Sequence, residues 1–365
     1  MAVYREQPTL PSPIWQSSIS AWLRKNLFSS WLNGLVTIAV LYLLLPQLWH
    51  LIEWAFISAD WFGSSREQCV AGGACWVFIT SRLNLFIYGF YPESEYWRVN
   101  WIYALTALQV AALLYPKTPY KSVLTILFFV VYPFVVFYLL YGGAFGLDVV
   151  ETHKWGGLML TLLMGIVGVL AALPIGILLA LGRRSEMPLI RALSIVFIEF
   201  WRAVPLITVL FMASVMLPLF FSSEVTMDKL LRAMIGIILF ESAYVAEVVR
   251  GGLQAIPKGQ YEAGEALGLS YWKVMGLVIM PQALKITIPS LVNTFISLFK
   301  DTSLVLIIGL FDLLAISKVA LADPAWLGFS TEAYVFIAMI FWMFCFGMSR
   351  YSIYLERKLN TGHKH

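Results

Sequence analysis

Residues 157–181 read GLMLTLLMGIVGVLAALPIGILLAL, with no charged side chain among them. As a helix this run rises about 37 Å, more than the roughly 30 Å of a bilayer's hydrocarbon core. Backbone groups in lipid must be satisfied within the segment, so such runs cross as helices. Seven further runs flank it: Trp31–Ile52, Val99–Tyr115, Ser122–Gly142, Pro205–Phe221, Leu230–Val249, Ile286–Leu310 and Ala333–Met348. The composition agrees: 60% hydrophobic, 13% charged, mean hydropathy +0.79. Soluble domains carry about a quarter charged residues. The fold class is therefore an all-α polytopic membrane protein with eight predicted transmembrane helices.

Lysine and arginine set the orientation. With the N-terminus in the cytoplasm, seventeen of the 25 basic residues, from Arg5 to Lys364, fall on the cytoplasmic side. Both termini are then inside. The net charge of +4 reports topology, not nucleic-acid binding. No small-residue cleavage site follows the first apolar run, so it reads as a retained helix, not a signal peptide.

The chain divides near Asp148. Residues 1–147 hold three helices and a long outer loop rich in Trp and Tyr, residue types that favour the membrane interface. Within that loop Trp76–Phe90 is too short to span and reads as lying along the membrane surface. Cys69 and Cys75 sit close together there, outside the cytoplasm, where a disulfide is one reading and two free thiols the other. Cys345, between Phe344 and Phe346, reads as packed in lipid or core. Residues 148–365 hold five helices with Pro174, Pro205, Pro218 and Pro289 inside or at their ends. Each is a hinge or an ordinary membrane-helix proline.

Between two apolar helices lies a polar loop, 251–285. Pro257-Lys258-Gly259 signals a turn. Gln260 to Leu267 then favours helix, and Gly268 can take the left-handed conformation that ends one. Ser270 is placed to cap a second helix, Tyr271–Ile279, which Pro281 closes. The apolar members of this elbow (Tyr261, Ala263, Ala266, Leu267, Leu269) lie among Glu262, Gly264 and Glu265. They imply either a soluble partner or an amphipathic hairpin on the membrane surface.

The elbow resembles the EAA loop of ABC importer permeases: Glu-Ala-Ala, three residues, Gly, nine residues, then Ile-x-Leu-Pro. Glu262-Ala263-Gly264, Gly268, Val278, Met280 and Pro281 occupy those positions, with Gly264 in place of the third alanine. The wider likeness is to polar amino-acid permeases. Glu199-Phe200-Trp201-Arg202-Ala203-Val204-Pro205-Leu206, Tyr244 to Gly252 and Lys300-Asp301-Thr302-Ser303-Leu304 are similar to three of their motifs. Ala203 stands where they usually have glycine. The likeness covers about residues 157–360 and implies a type I ABC importer permease core. The three additional N-terminal helices are similar to those of the M-type permease subunit of general L-amino-acid importers of Gram-negative bacteria.

The resemblance implies partners: a homologous permease chain, two ATPase subunits gripping residues 261–269, and a periplasmic amino-acid-binding protein. It implies ATP and Mg on the ATPase and no cofactor on this chain. Consistently, no Gly-x-x-x-x-Gly-Lys-Ser/Thr loop occurs here to cradle phosphates. His50, His153, His363 and His365 form no ligand cluster, no metal site is expected, and no Gly-x-Ser-x-Gly elbow suggests hydrolysis. The chain reads as a transport subunit and not an enzyme.

Charges within a span default to a functional reading. Lys300 and Asp301 would meet the carboxylate and ammonium of a zwitterionic amino acid. Asp301, Thr302 and Ser303 are also strong capping residues, and a helix broken there would aim a positive end at a carboxylate. The alternative is that Lys300 and Asp301 neutralise Glu241 or Glu247. Glu241 lies deeper than Glu247 and is the better candidate for the pathway. Glu247 with Arg250, and Glu199 with Arg202, read as structural i, i+3 ion pairs. Two other functions remain open: an ion-gradient-driven secondary transporter, which leaves the elbow without a purpose, and a membrane scaffold or receptor, which needs no intramembrane charge.

Overall fold

The computed structural model describes residues 19–69, 72–115, 117–221 and 227–359. Arg5, His363, Lys364 and His365 lie outside them. The chain forms two compact units, residues 1–77 and 78–365.

In the first unit, α1 (Trp31–Ile52) starts at Ser30, whose hydroxyl accepts the Asn33 N–H, and none of its side chains is buried. A wide turn, Glu53–Ile57, ends it. The chain then folds back on itself. Asp60 N–H donates to the Ala74 carbonyl and Trp76 N–H to the Asp60 carbonyl, both at 2.9 Å. The Trp76 indole N–H donates to the Ala55 carbonyl at 2.8 Å. A disulfide joins Cys69 to Cys75, with Cα atoms 5.6 Å apart.

The second unit is a helical bundle. Its helices are α2 (Tyr96–Leu114), α3 (Lys121–Tyr141), α4 (Gly157–Arg183), α5 (Pro188–Ala203), α6 (Leu206–Phe220), α7 (Lys229–Ala255), α8 (Lys258–Ala266), α9 (Tyr271–Ile308), α10 (Leu313–Leu321) and α11 (Ser330–Leu359). Among the described residues, five helices are long and apolar enough to cross a membrane: α1 with its terminal turn, α3, α4, α9 and α11. A sixth span results if α5 and α6 count as one, bent by 103°. The bend falls at Val204-Pro205, where Val204 is extended because the following proline ring disfavours helical geometry. The other two expected spans, Val99–Tyr115 and Leu230–Val249, fall on α2 and α7. Both are helical, but neither meets the apolarity required of a span.

α4 and α7 pack along most of their lengths. The approach is closest at Gly176, where a Cβ would lie 2.5 Å from a Val245 methyl. Around them Leu160, Met164, Leu210, Ile237 and Leu298 form a buried core. Val99 and Ile102 of α2 and Val136 and Leu140 of α3 belong to the same core.

Three prolines share one local geometry. Pro133, Pro218 and Pro281 each stand two residues beyond a five-residue π-turn: Leu127–Val131, Met212–Met216 and Met275–Ile279. A proline lacks the N–H that would close its turn, and its ring crowds the carbonyl four residues back. A wider i→i+5 turn just ahead relieves that crowding. Pro281 therefore does not close the elbow as the sequence suggests. The helix continues through it from Tyr271 to Ile308.

The stretch Trp76–Phe90 forms two short helices, Trp76–Ser81 and Leu83–Tyr88, with one side packed inward and Leu83 and Phe90 exposed. Phe78 and Phe86 are buried. Phe78 stacks on Phe329 with centroids 6.0 Å apart, and Phe86 meets Phe336 of α11 edge-on at 5.3 Å. Arg82, the charge that interrupts the run, pairs with Asp323. Nearby, Arg98 is almost fully buried, paired with Glu95 at 2.6 Å and donating to the Asp148 carbonyl at 2.8 Å. That contact ties the start of α2 to the segment after α3.

Candidate functional site

The elbow is built from local rules. Pro257, with φ −58°, precedes the first residue of α8. At its other end Gly268 takes φ +70°. Gly268 N–H donates to the Glu265 carbonyl at 2.8 Å and Leu269 N–H to the Gly264 carbonyl at 3.2 Å. This pair of bonds is the Schellman stop of a helix. Ser270 then occupies the N-cap of α9 with extended geometry, although its hydroxyl makes no capping bond.

Gly264, which stands where the likeness has alanine, is buried. A Cβ there would lie 2.9 and 3.0 Å from the two methyls of Val274. The glycine is thus the crossing point of α8 over α9, and its cost of about 1 kcal/mol against alanine in helix propensity is offset by close packing. The outward side carries Glu262, Ala263, Glu265, Ala266 and Leu267. Leu267 is 79% exposed and Trp272 70%.

Behind the elbow lies a cluster of charges that the sequence shows only in part. Glu247 of α7 is the centre. Its carboxylate is 2.8 Å from Arg250, 2.9 Å from Arg183 of α4 and 3.4 Å from Arg202 of α5. The Glu247–Arg250 pair is therefore present. Glu199 and Arg202 do not pair with each other: Glu199 binds Arg183 at 2.7 Å and Arg202 turns to Glu247. The half-buried Glu247 is set where three helices converge and takes Arg202 and Arg250, while Arg183 bridges it to the outward-facing Glu199. Arg202 also lies over the Tyr244 ring at 5.6 Å. Arg183 carries no sign of this role in the sequence, because its partners lie 16 and 64 positions away.

Farther from the elbow are Glu241, Lys300 and Asp301, of which only Glu241 is buried. Glu241 is 3% exposed, and its Oε1 has no hydrogen-bond partner among the described residues. Asp301 lies within electrostatic reach of it. Lys300 is exposed on the surface of the chain and makes no ion pair among the described residues. The helix does not break here as the capping residues suggest. The Thr302 hydroxyl donates to the Phe299 carbonyl and that of Ser303 to the Lys300 carbonyl, both at 2.8 Å. With both hydroxyls bonded backward, the chain tightens into a 3-10 segment, Thr302–Ile308, and stays helical.

At the end of α9, residues Phe311 and Asp312 run alongside Gly156 and Gly157. The buried Asp312 caps α10, accepting from Leu314 N–H at 3.1 Å and Ala315 N–H at 2.9 Å. Burial pushes its carboxyl up to about 6, against the pull of those two bonds.

Apolar helices long enough to cross a membrane, packed around a buried carboxyl group, with an exposed polar elbow between two of them, define a polytopic helical membrane protein. The comparisons agree. Residues 172–361 match the family described as binding-protein-dependent transport system inner membrane component. The chain belongs to this family of ABC permeases, multi-pass proteins of the inner membrane. It is 57% identical to the inner membrane amino-acid ABC transporter permease protein YhdY of Escherichia coli K12, across 99% of this chain and 98% of that one. It is 40% identical to the glutamate/glutamine/aspartate/asparagine transport system permease protein BztC of Rhodobacter capsulatus, across 97% and 96%. Among solved structures, an amino acid ABC transporter crystallised with histidines is 30% identical, covering 55% of this chain and 92% of that one with TM-score 0.49.

Proposed function

We propose that this chain is the permease subunit of an ATP-driven importer that carries L-amino acids across the inner membrane. The observation that carries the reading is the elbow. It is stopped by its own glycine, packed on its inner side, and exposed through Leu267 on its outer side. ATPase chains grip residues 261–269, and ATP and Mg belong to those chains. A homologous permease completes the pore, and a periplasmic binding protein delivers substrate to the face opposite the elbow.

In this reading eight helices span the membrane: α1, α2, α3, α4, α6, α7, α9 and α11. Both termini and the elbow are cytoplasmic. Residues 1–147 form an extension, and residues 148–365 form the permease core. The burial of Glu241 supports α7 as a span, since its charge faces protein and not lipid. Glu241, Lys300 and Asp301, with Thr302 and Ser303 beside them, form the substrate pathway. Lys300 meets the α-carboxylate, and Asp301 or Glu241 the ammonium.

The test is uptake by proteoliposomes holding the complete complex. Amino-acid uptake should require ATP and survive collapse of ion gradients; uptake that dies with the gradient sinks the reading in favour of a secondary transporter. Crosslinking from Leu267→Cys should capture an ATPase chain.

A further inference from the structure

Two consecutive arginines end α4, and they point to different places. Arg183 enters the charge cluster around Glu247 and Glu199. Arg184 reaches the elbow. Its Nη1 donates to the Leu253 carbonyl at 3.0 Å and to the Tyr261 hydroxyl at 2.9 Å. The Tyr261 hydroxyl donates in turn to the same Leu253 carbonyl at 3.1 Å. The guanidinium carbon also lies 5.4 Å from the centre of the Tyr261 ring.

The chemistry of this triangle is specific. Leu253 sits in the last turn of α7, whose final carbonyls have no partner inside the helix. That end of a helix also carries partial negative charge, which favours a cation. Arg184 and Tyr261 together satisfy one of those carbonyls. A planar guanidinium can hold two acceptors while its face lies over a ring, a geometry that suits it better than the compact ammonium of lysine. The contact joins three elements: the end of α4, the end of α7 and the first turns of α8.

From this geometry we infer that Arg184 is a positioning residue that latches the elbow to α4. The inference rests on the proposed importer function. When an ATPase partner moves α8, the latch carries the motion to the end of α4, and the adjacent Arg183 passes it to α5 and α7 through Glu199 and Glu247. The buried contact of Gly264 on Val274 links α8 to α9. Arg184 and Tyr261 form the polar route from the elbow to the other side of the bundle.

The experiment uses the complete complex in proteoliposomes with Arg184→Gln, Arg184→Lys and Tyr261→Phe. ATP hydrolysis and uptake are read together. Arg184→Gln should lower amino acid carried per ATP by about threefold or more, the scale expected when the net contribution of one hydrogen bond is lost. Arg184→Lys should recover part of that ratio, and Tyr261→Phe should fall between wild type and Arg184→Gln. An unchanged ratio, including one where both activities fall together, overturns the latch. Hydrogen exchange on the full chain alone in nanodiscs gives a second readout. Amides 259–269 should exchange at least threefold faster in Arg184→Gln. Unchanged exchange overturns the latch even where wild-type uptake is ATP-driven. Faster exchange with wild-type uptake that ignores ATP upholds the contact and overturns the importer reading.

Discussion

Glu247 and Glu241 lie on the same helix, about 9 Å apart along its axis. Glu247 holds three arginines from three helices. Glu241 is more deeply buried, and one of its oxygens has no partner among the described residues. The first is satisfied by the fold; the second is left with unmet bonding capacity. The carboxylate that holds helices together thus lies less than two turns from the one proposed above for the substrate pathway.

The sharpest way to break this comparison is to neutralise each acid in turn. Glu247→Gln leaves three guanidinium groups around an uncharged amide. A fully buried pair costs 3–5 kcal/mol to break; these partners are partly exposed, so a loss of about 2 kcal/mol is expected. Thermal unfolding in detergent reads it. Glu241→Gln should leave that transition within about 0.5 kcal/mol of wild type or raise it, because a neutral amide of similar shape is easier to bury than an ionisable carboxyl group. It should instead depress uptake. Equal destabilisation by both changes would erase the distinction between the two sites.

A smaller effect is expected at the elbow. Gly264→Ala gains helix propensity but drives a methyl against Val274, whose branched side chain has little freedom to move. A net loss of about 1 kcal/mol is expected. It should appear as faster amide exchange in α8, and the double variant with Val274→Ala should restore protection. If Gly264→Ala alone stabilises the elbow, packing is not what the glycine provides.

A pH-dependent effect concerns Asp312, in the connection between α9 and α10, outside the spanning helices. Its folded pKa of about 6 lies above the ordinary value of 3.8. A group shifted in that direction binds its proton more tightly in the folded state. Its contribution to stability is full below about pH 4 and is lost as pH rises through about 6. Asp312→Asn keeps a capping side chain and should flatten the stability profile between pH 4 and 6. An unaltered slope in that window would show that another group titrates there.

Much of the elbow is legible in the sequence, because its rules are local. A proline ahead of the helix, a left-handed glycine after it and a serine at the next start all act within a few residues. Legibility ends where distance in sequence hides proximity. Arg183 and Arg184 register in the sequence only as charges that set orientation, although they reach Glu247 and Tyr261, 64 and 77 positions away. Glu199 and Arg202 have the right spacing for a pair, yet partners on neighbouring helices claim both. Thr302 and Ser303 have the right chemistry for caps. The same hydroxyls bond backward just as well when the helix continues. Gly264 reads as a weakness in its own helix because its partner, Val274, belongs to the next element.

The π-turn at Met275–Ile279 has a consequence for how α9 is drawn. One extra residue in a turn advances every later side chain by about 100° relative to a regular helix. A helical wheel run unbroken from Tyr271 to Ile308 therefore misplaces one half against the other. Val274, which faces α8, and Lys300, toward the far end of α9, belong to separate wheels. Any scan of α9 for a pore-facing stripe has to restart its phase after Ile279.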